Sequence, residues 1–154
     1  MSKRFSQLAF IVDDVDGAAD LAAQLPPHVC PVLVDHHFDG LAQIASTLRT
    51  CGGLDAIHLF CNVDGDELSL GTVQLAEPDV ARYVGDLSEL ARALGGRGHL
   101  LVYPGSDEEQ GAAVVEALRR VLGPGVAAVY PNMACGSHCG GWCLGRYAGA
   151  LSAA

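Results

Sequence analysis

Short apolar runs alternate along this chain with longer segments in which apolar residues recur every three or four positions. The runs at 8–13 (LAFIVD), 30–35 (CPVLVD), 56–61 (AIHLFC), 99–104 (HLLVYP) and 126–131 (VAAVYP) predict strands. Their near-continuous apolar character suits a parallel sheet covered on both faces. Helical spacing predicts helices over 17–25 and over 40–48, where Leu41, Ile44, Ala45 and Leu48 share one face. A third helix is predicted over 78–94, started by Glu77 and Pro78 and stopped by Gly95-Gly96. The fourth spans 107–122, with Ser106 and Glu109 in capping-box spacing and Gly123-Pro124 at its end. The acidic stretch VDGDELSLG reads as a hairpin or turn leading into Leu68-Ser69-Leu70.

Strands alternating with helices imply βαβ units, and the absence of repeats or linkers implies one α/β domain over 1–154. Right-handed crossovers point all parallel strands the same way. The loops that follow the strands then gather at the carboxyl edge of the sheet, where a site is expected. Asp13, Asp14, Asp35, His36, His37, Cys61, Asn62, Asp64, Tyr103 and Ser106 are all assigned to that edge.

Half of the 154 residues are hydrophobic, enough for a substantial core, and the formal net charge of -9 with only nine Lys and Arg argues against a nucleic-acid partner. No apolar run reaches the roughly 18 residues that span a bilayer, and acidic residues interrupt the opening MSKRFSQLAFIVDD. A cytoplasmic protein with no membrane partner is therefore expected, its six cysteines mostly thiols. GxGxxG and GKS/T motifs are absent, and no cofactor is expected.

The stretches LAFIVDDVDGAADLAAQL, DGLAQIASTL, GLDAIHLF, LSLGTVQL, HLLVYP, GVAA and GGWCLGRYAGAL occur in an order and spacing that give a resemblance over nearly the whole chain. Together they resemble the uncharacterised caspase-like domain that opens many very large bacterial adhesins with cadherin-type or haemolysin-type repeats. The resemblance implies a caspase-like three-layer α/β sandwich with a mostly parallel central sheet. In that family the third strand runs into Ser-His-Gly and the fourth into Tyr-Gly-Cys, a layout similar to the His/Cys dyad of caspase-clan peptidases. Here the corresponding residues are Cys61-Asn62-Val63 and Tyr103-Pro104-Gly105. Aligned through Leu70-Gly71 and the strand at 100–103, the dyad His falls on Asn62 and the dyad Cys on Gly105. An amide exchanges no proton near neutral pH and glycine has no side chain, so no catalytic residue is assigned.

Other residues admit two readings each. Cys61, with His36 and His37 in the neighbouring loop, is either a relocated nucleophile or a small residue filling space. The two histidines lie between Asp35 and Asp39, so they are either a His-carboxylate arrangement or a solvated loop. His58, inside a strand, reads as a core histidine with a backbone partner. Cys135, His138, Cys139 and Cys143 supply four soft donors in nine residues, but the gaps differ from the usual zinc-knuckle spacing, and the resemblance makes Trp142 a packing residue. Asp64, Asp66 and Glu67 lack the ligand rhythm of a calcium loop.

The expected function is a catalytically inactive, peptidase-like accessory domain that holds a peptide or protein partner. Its expected binding residues are Asp14, His36, His37, Asn62, Asp64, Tyr103 and Ser106. The alternatives are a thiol hydrolase or peptidase with a relocated site, built on Cys61 with His36 or His37 or on a C-terminal thiol with His138, and a metal-binding or redox module built on the C-terminal cysteines. A homodimer, or a heteromer with a related protein, stays open.

Overall fold

The structure is a computed structural model and describes residues 6–104 and 111–129. The first strand, β1 (Gln7–Val12), is buried at all six positions, and helix α1 (Ala18–Gln24) carries the chain to β2 (Val29–Val34). Helix α2 (Gly40–Leu48) leads to β3 (Ala56–Phe60), buried throughout. An antiparallel excursion follows, made of β4 (Asn62–Asp64), β5 (Glu67–Leu70) and β6 (Val73–Leu75). A 3-10 helix (Glu77–Tyr83), α3 (Val84–Leu94), β7 (His99–Tyr103), α4 (Ala112–Leu122) and β8 (Val126–Ala128) complete the described chain.

The main sheet has the order β2-β1-β3-β7-β8, and all its pairings are parallel. Strands β1, β3 and β7 are its interior, β1 and β3 buried at every position, whereas β2 is buried only at its ends, Val29 and Val34, as suits an edge. The crossover through α1 steps one way along the sheet and the later ones step the other way. Right-handed connections therefore put α1 on one face, against β1 and β2, and α2, α3 and α4 on the other, where α3 packs against both neighbours. The result is the expected three-layer α/β sandwich around a parallel sheet.

The predicted strands and the helices at 17–25 and 40–48 agree with the structure to within a few terminal residues. Asp39 caps α2 by accepting the Ala42 amide at 2.8 Å, and Gly95 closes α3 in the left-handed conformation. The helix expected over 78–94 is divided. Tyr83 leaves helical dihedrals, and the preceding 3-10 turn lines up Val80 and Tyr83, three residues apart, on its inner side. Helix α4 is described from Ala112, and the Ser106/Glu109 capping box lies outside the described residues.

The excursion after β3 contains one strand more than expected. Both of its turns are two-residue loops, Gly65-Asp66 and Gly71-Thr72, with glycine at positive φ in the first position. It is anchored to the loop after β2. The Thr72 amide donates to the Phe38 carbonyl at 2.9 Å, and Asp39 and Gly71 form an antiparallel bridge. The DGLAQIASTL and LSLGTVQL stretches thus meet through their glycines: a Cβ on Gly40 would lie 2.7 Å from the Leu70 carbonyl, and one on Gly71 2.0 Å from Phe38 O.

Candidate functional site

Parallel pairing brings the ends of β1, β2 and β3 side by side, so the turns that follow them form one rim. Asp13 and Asp14 follow β1, Asp35, His36 and His37 follow β2, and Cys61 and Asn62 follow β3. The β1/β2 pair keeps its register past Val12 and Val34, because the Asp13 amide donates to the Val34 carbonyl at 2.9 Å.

Each histidine of the rim is held by a carboxylate. Asp13 Oδ1 accepts the His36 amide at 2.9 Å and pairs with His36 Nδ1 at 2.5 Å; Asp35 Oδ1 accepts the His37 amide and pairs with His37 Nδ1, both at 2.9 Å. The rings tilt together with centroids 4.0 Å apart. Desolvation opposes ionisation of Asp13, but its hydrogen bonds from the His36 ring and amide outweigh that and lower its pKa. The His37 amide and ring likewise lower that of Asp35. The bond to Asp13 raises the His36 pKa against a smaller opposing desolvation. Gln43 on α2 steadies the turn from below: its Oε1 accepts the Asp35 amide and its Nε2 donates to the Asp35 carbonyl, both at 2.9 Å.

On the third loop, Asn62 donates from Nδ2 to the Asp14 carbonyl at 3.2 Å, tying the β3 exit to the β1 exit. Asp64 is exposed at the tip of β4. Cys61 is fully buried, and burial, helped by the negative charge of Asp14, pushes its thiol up to about 12. A thiol in that setting stays protonated. Cys30 and Cys51 are partly exposed free thiols away from this rim.

Tyr103 was expected on the rim and is instead fully buried. Register puts it on the same sheet face as Phe60 and His58; its ring stacks on Phe60 at 4.2 Å and its hydroxyl meets His58 Nδ1 at 2.8 Å. His58 is the expected core histidine, but its partners are side chains and not backbone. Its other nitrogen reaches Gln7 Oε1 at 2.7 Å, so Gln7, His58 and Tyr103 link three adjacent strands beneath the rim. Burial pushes His58 down to about 4 and keeps it neutral. Neutral His58 donates from Nε2 to Gln7 and accepts the tyrosine hydroxyl at Nδ1.

Gly105, Ser106, Cys135, His138, Cys139 and Cys143 lie outside the described residues. Two rim residues were missed by the sequence reading. Gln43 looked like an ordinary polar position of an amphipathic helix, and Phe38, 64% exposed beside the histidines, carried no signal beyond being an aromatic residue in a polar loop. Among the described residues no helix is long and apolar enough to cross a membrane.

The rim therefore combines carboxylates, two oriented imidazoles, a tethered amide and an exposed aromatic ring, with a protonated thiol sealed below. No curated protein matches the chain. The model of one family, described as a domain of unknown function (DUF4347), matches residues 8–154, nearly the whole length, and the chain belongs to that family.

Proposed function

We propose that this domain is a pseudopeptidase: a caspase-like sandwich whose carboxyl-edge rim holds an extended peptide or protein segment without cleaving it. The observation that carries the reading is the state of the β3 exit. Where the resembled peptidases place a proton-transferring histidine, Asn62 stands with its amide committed to the Asp14 carbonyl. The adjacent Cys61 is enclosed and protonated, and His36 and His37 have their Nδ1 atoms engaged by carboxylates. Thiol catalysis needs an accessible thiolate beside a base, and the enclosed Cys61 supplies no such thiolate.

Binding does not require that chemistry. Extended segments are recognised by backbone pairing and side-chain pockets, which outlast the loss of a nucleophile. Exposed Phe38 offers an aromatic anchor, and Asp13, Asp14, Asp35 and Asp64 give the rim a negative potential that favours a basic or neutral segment. An accessory role in peptide processing, within a homomeric or heteromeric assembly, follows from such binding without cleavage.

A selection from a displayed random-peptide library, followed by fluorescence titration of the winners, tests the reading. Basic or neutral peptides are expected to bind and to be recovered intact, with Phe38→Ala and Asp14→Asn weakening them. Turnover of a fluorogenic peptide panel by the purified chain, abolished by Cys61→Ser, would overturn it; so would a selection yielding nothing tighter than scrambled controls.

A further inference from the structure

The same turn carries donor groups suited to a second kind of ligand. One ligand atom from each of Asp35, His36 and His37 lies within 4.8 Å of the others. Each side chain is already oriented through its near atom. His36 is fixed at Nδ1 by Asp13 and His37 at Nδ1 by Asp35, while Asp35 Oδ1 is fixed by the His37 amide. His36 keeps Nε2 without a hydrogen-bond partner among the described residues, and Asp35 Oδ1 and His37 Nδ1 already face each other at 2.9 Å.

A histidine that donates Nδ1–H to a carboxylate keeps its Nε2 lone pair for a metal, and such a carboxylate contact fixes the tautomer and raises the basicity of the ligand. His36 has that arrangement with Asp13, 23 residues away, across the β1/β2 pair. We propose that Asp35, His36 and His37 form a binding site for a divalent, imidazole-preferring transition metal ion such as zinc, with Asp13 as the residue that positions His36. The inference stands whether or not the rim takes a peptide.

The geometry is within reach. Metal–ligand distances near 2.1 Å put tetrahedral donors about 3.4 Å apart, and one donor atom from each of the three side chains lies within 4.8 Å of the other two. His37 is exposed and His36 and Asp35 are half-exposed, so these side chains can turn toward a common ion. Two nitrogens and one carboxylate oxygen suit zinc, copper or nickel better than calcium or magnesium, which favour all-oxygen shells. Three protein donors leave a fourth position for water or for a donor from a bound partner.

The test must separate this site from the thiols of Cys135, Cys139 and Cys143. Zinc binding to the full chain is measured by calorimetry near neutral pH, in the wild type and in a Cys135→Ser/Cys139→Ser/Cys143→Ser chain whose folding is checked by circular dichroism. One zinc per chain is expected to persist in the triple-serine chain. His36→Ala and His37→Ala should each weaken it at least tenfold, Asp13→Asn by about tenfold to a hundredfold, and Asp64→Asn not at all. If the serine chain does not fold, cobalt loading of the wild type serves instead, the expected spectrum showing a nitrogen- and oxygen-ligated ion that His36→Ala removes. Unchanged affinity in both histidine variants, loss of all metal with the cysteines, or a cobalt spectrum of thiolate ligation alone would overturn the proposal.

Discussion

Gly71 approaches Phe38 so closely that a β-carbon on it would sit 2.0 Å from the Phe38 carbonyl oxygen, and its φ of +67° is one that side-chain-bearing residues rarely adopt. This contact anchors the antiparallel excursion to the loop that carries His36 and His37. Gly71→Ala should therefore cost more than left-handed strain alone, which is of order 1–3 kcal/mol. Gly53→Ala isolates the strain, because Gly53 shares the positive φ but has open space around its Cβ position. Urea unfolding is expected to show a clearly larger loss of stability for Gly71→Ala than for Gly53→Ala.

Neutral His58, buried between Gln7 and Tyr103, makes stability depend on pH. Its pKa falls from 6.5 to about 4 on folding, so between those values the unfolded chain binds the extra proton. The contribution of His58 is complete above pH 6.5 and is lost as pH falls toward 4, up to roughly 3 kcal/mol. His36 acts with the opposite sign, since its pKa is raised; its smaller contribution is present below 6.5 and fades as pH rises through the folded value. Unfolding midpoints should thus fall between pH 6.5 and 4, and His58→Gln should flatten that slope. Tyr103→Phe leaves His58 Nδ1 without its donor and should cost about 1–3 kcal/mol at neutral pH.

The sheet was legible because two of its three interior strands, β1 and β3, are almost wholly apolar and buried at every position. Strand β6 was not, because three residues are too few to establish a period of two. Tyr103 was misplaced for a related reason. Its position at the end of β7 is readable, but which face it takes depends on register with Phe60, a property of the paired strands. The Asp13–His36 pair spans 23 residues and exists only because β1 and β2 lie side by side, so the sequence offered two histidines between Asp35 and Asp39 without naming the carboxylate that holds the first.

Thiol accessibility separates Cys61 from its neighbours in the chain. Cys30 and Cys51 are partly exposed, whereas Cys61 is enclosed with its thiol pushed up to about 12. Iodoacetamide labelling with peptide mapping should modify Cys30 and Cys51 in the folded protein and leave Cys61 unmodified from pH 6 to 9. Labelling of Cys61 should follow only when urea unfolds the domain. Fast modification of Cys61 near pH 6 would revive a thiol enzyme at this position.

Arg92 fastens α3 to the end of α2. Its Nη1 donates to the Cys51 carbonyl at 3.0 Å, its Nη2 to the Leu48 carbonyl at 2.5 Å, and its Nε to Glu89 at 3.1 Å. The two carbonyls stand at and just beyond the last turn of α2, where helix geometry leaves acceptors without intrahelical donors, and a guanidinium fork reaches both at once. Lysine keeps the charge but not the fork. Arg92→Lys should therefore lose about 1 kcal/mol and Arg92→Ala about 1–2 kcal/mol, the half-exposed setting keeping both below the values for fully buried charged bonds. Glu89→Ala, which removes a surface ion pair alone, should stay within about 0.5 kcal/mol. Urea midpoints that rank Glu89→Ala as the most damaging of the three would show that the ion pair, and not the carbonyl contacts, is what Arg92 contributes.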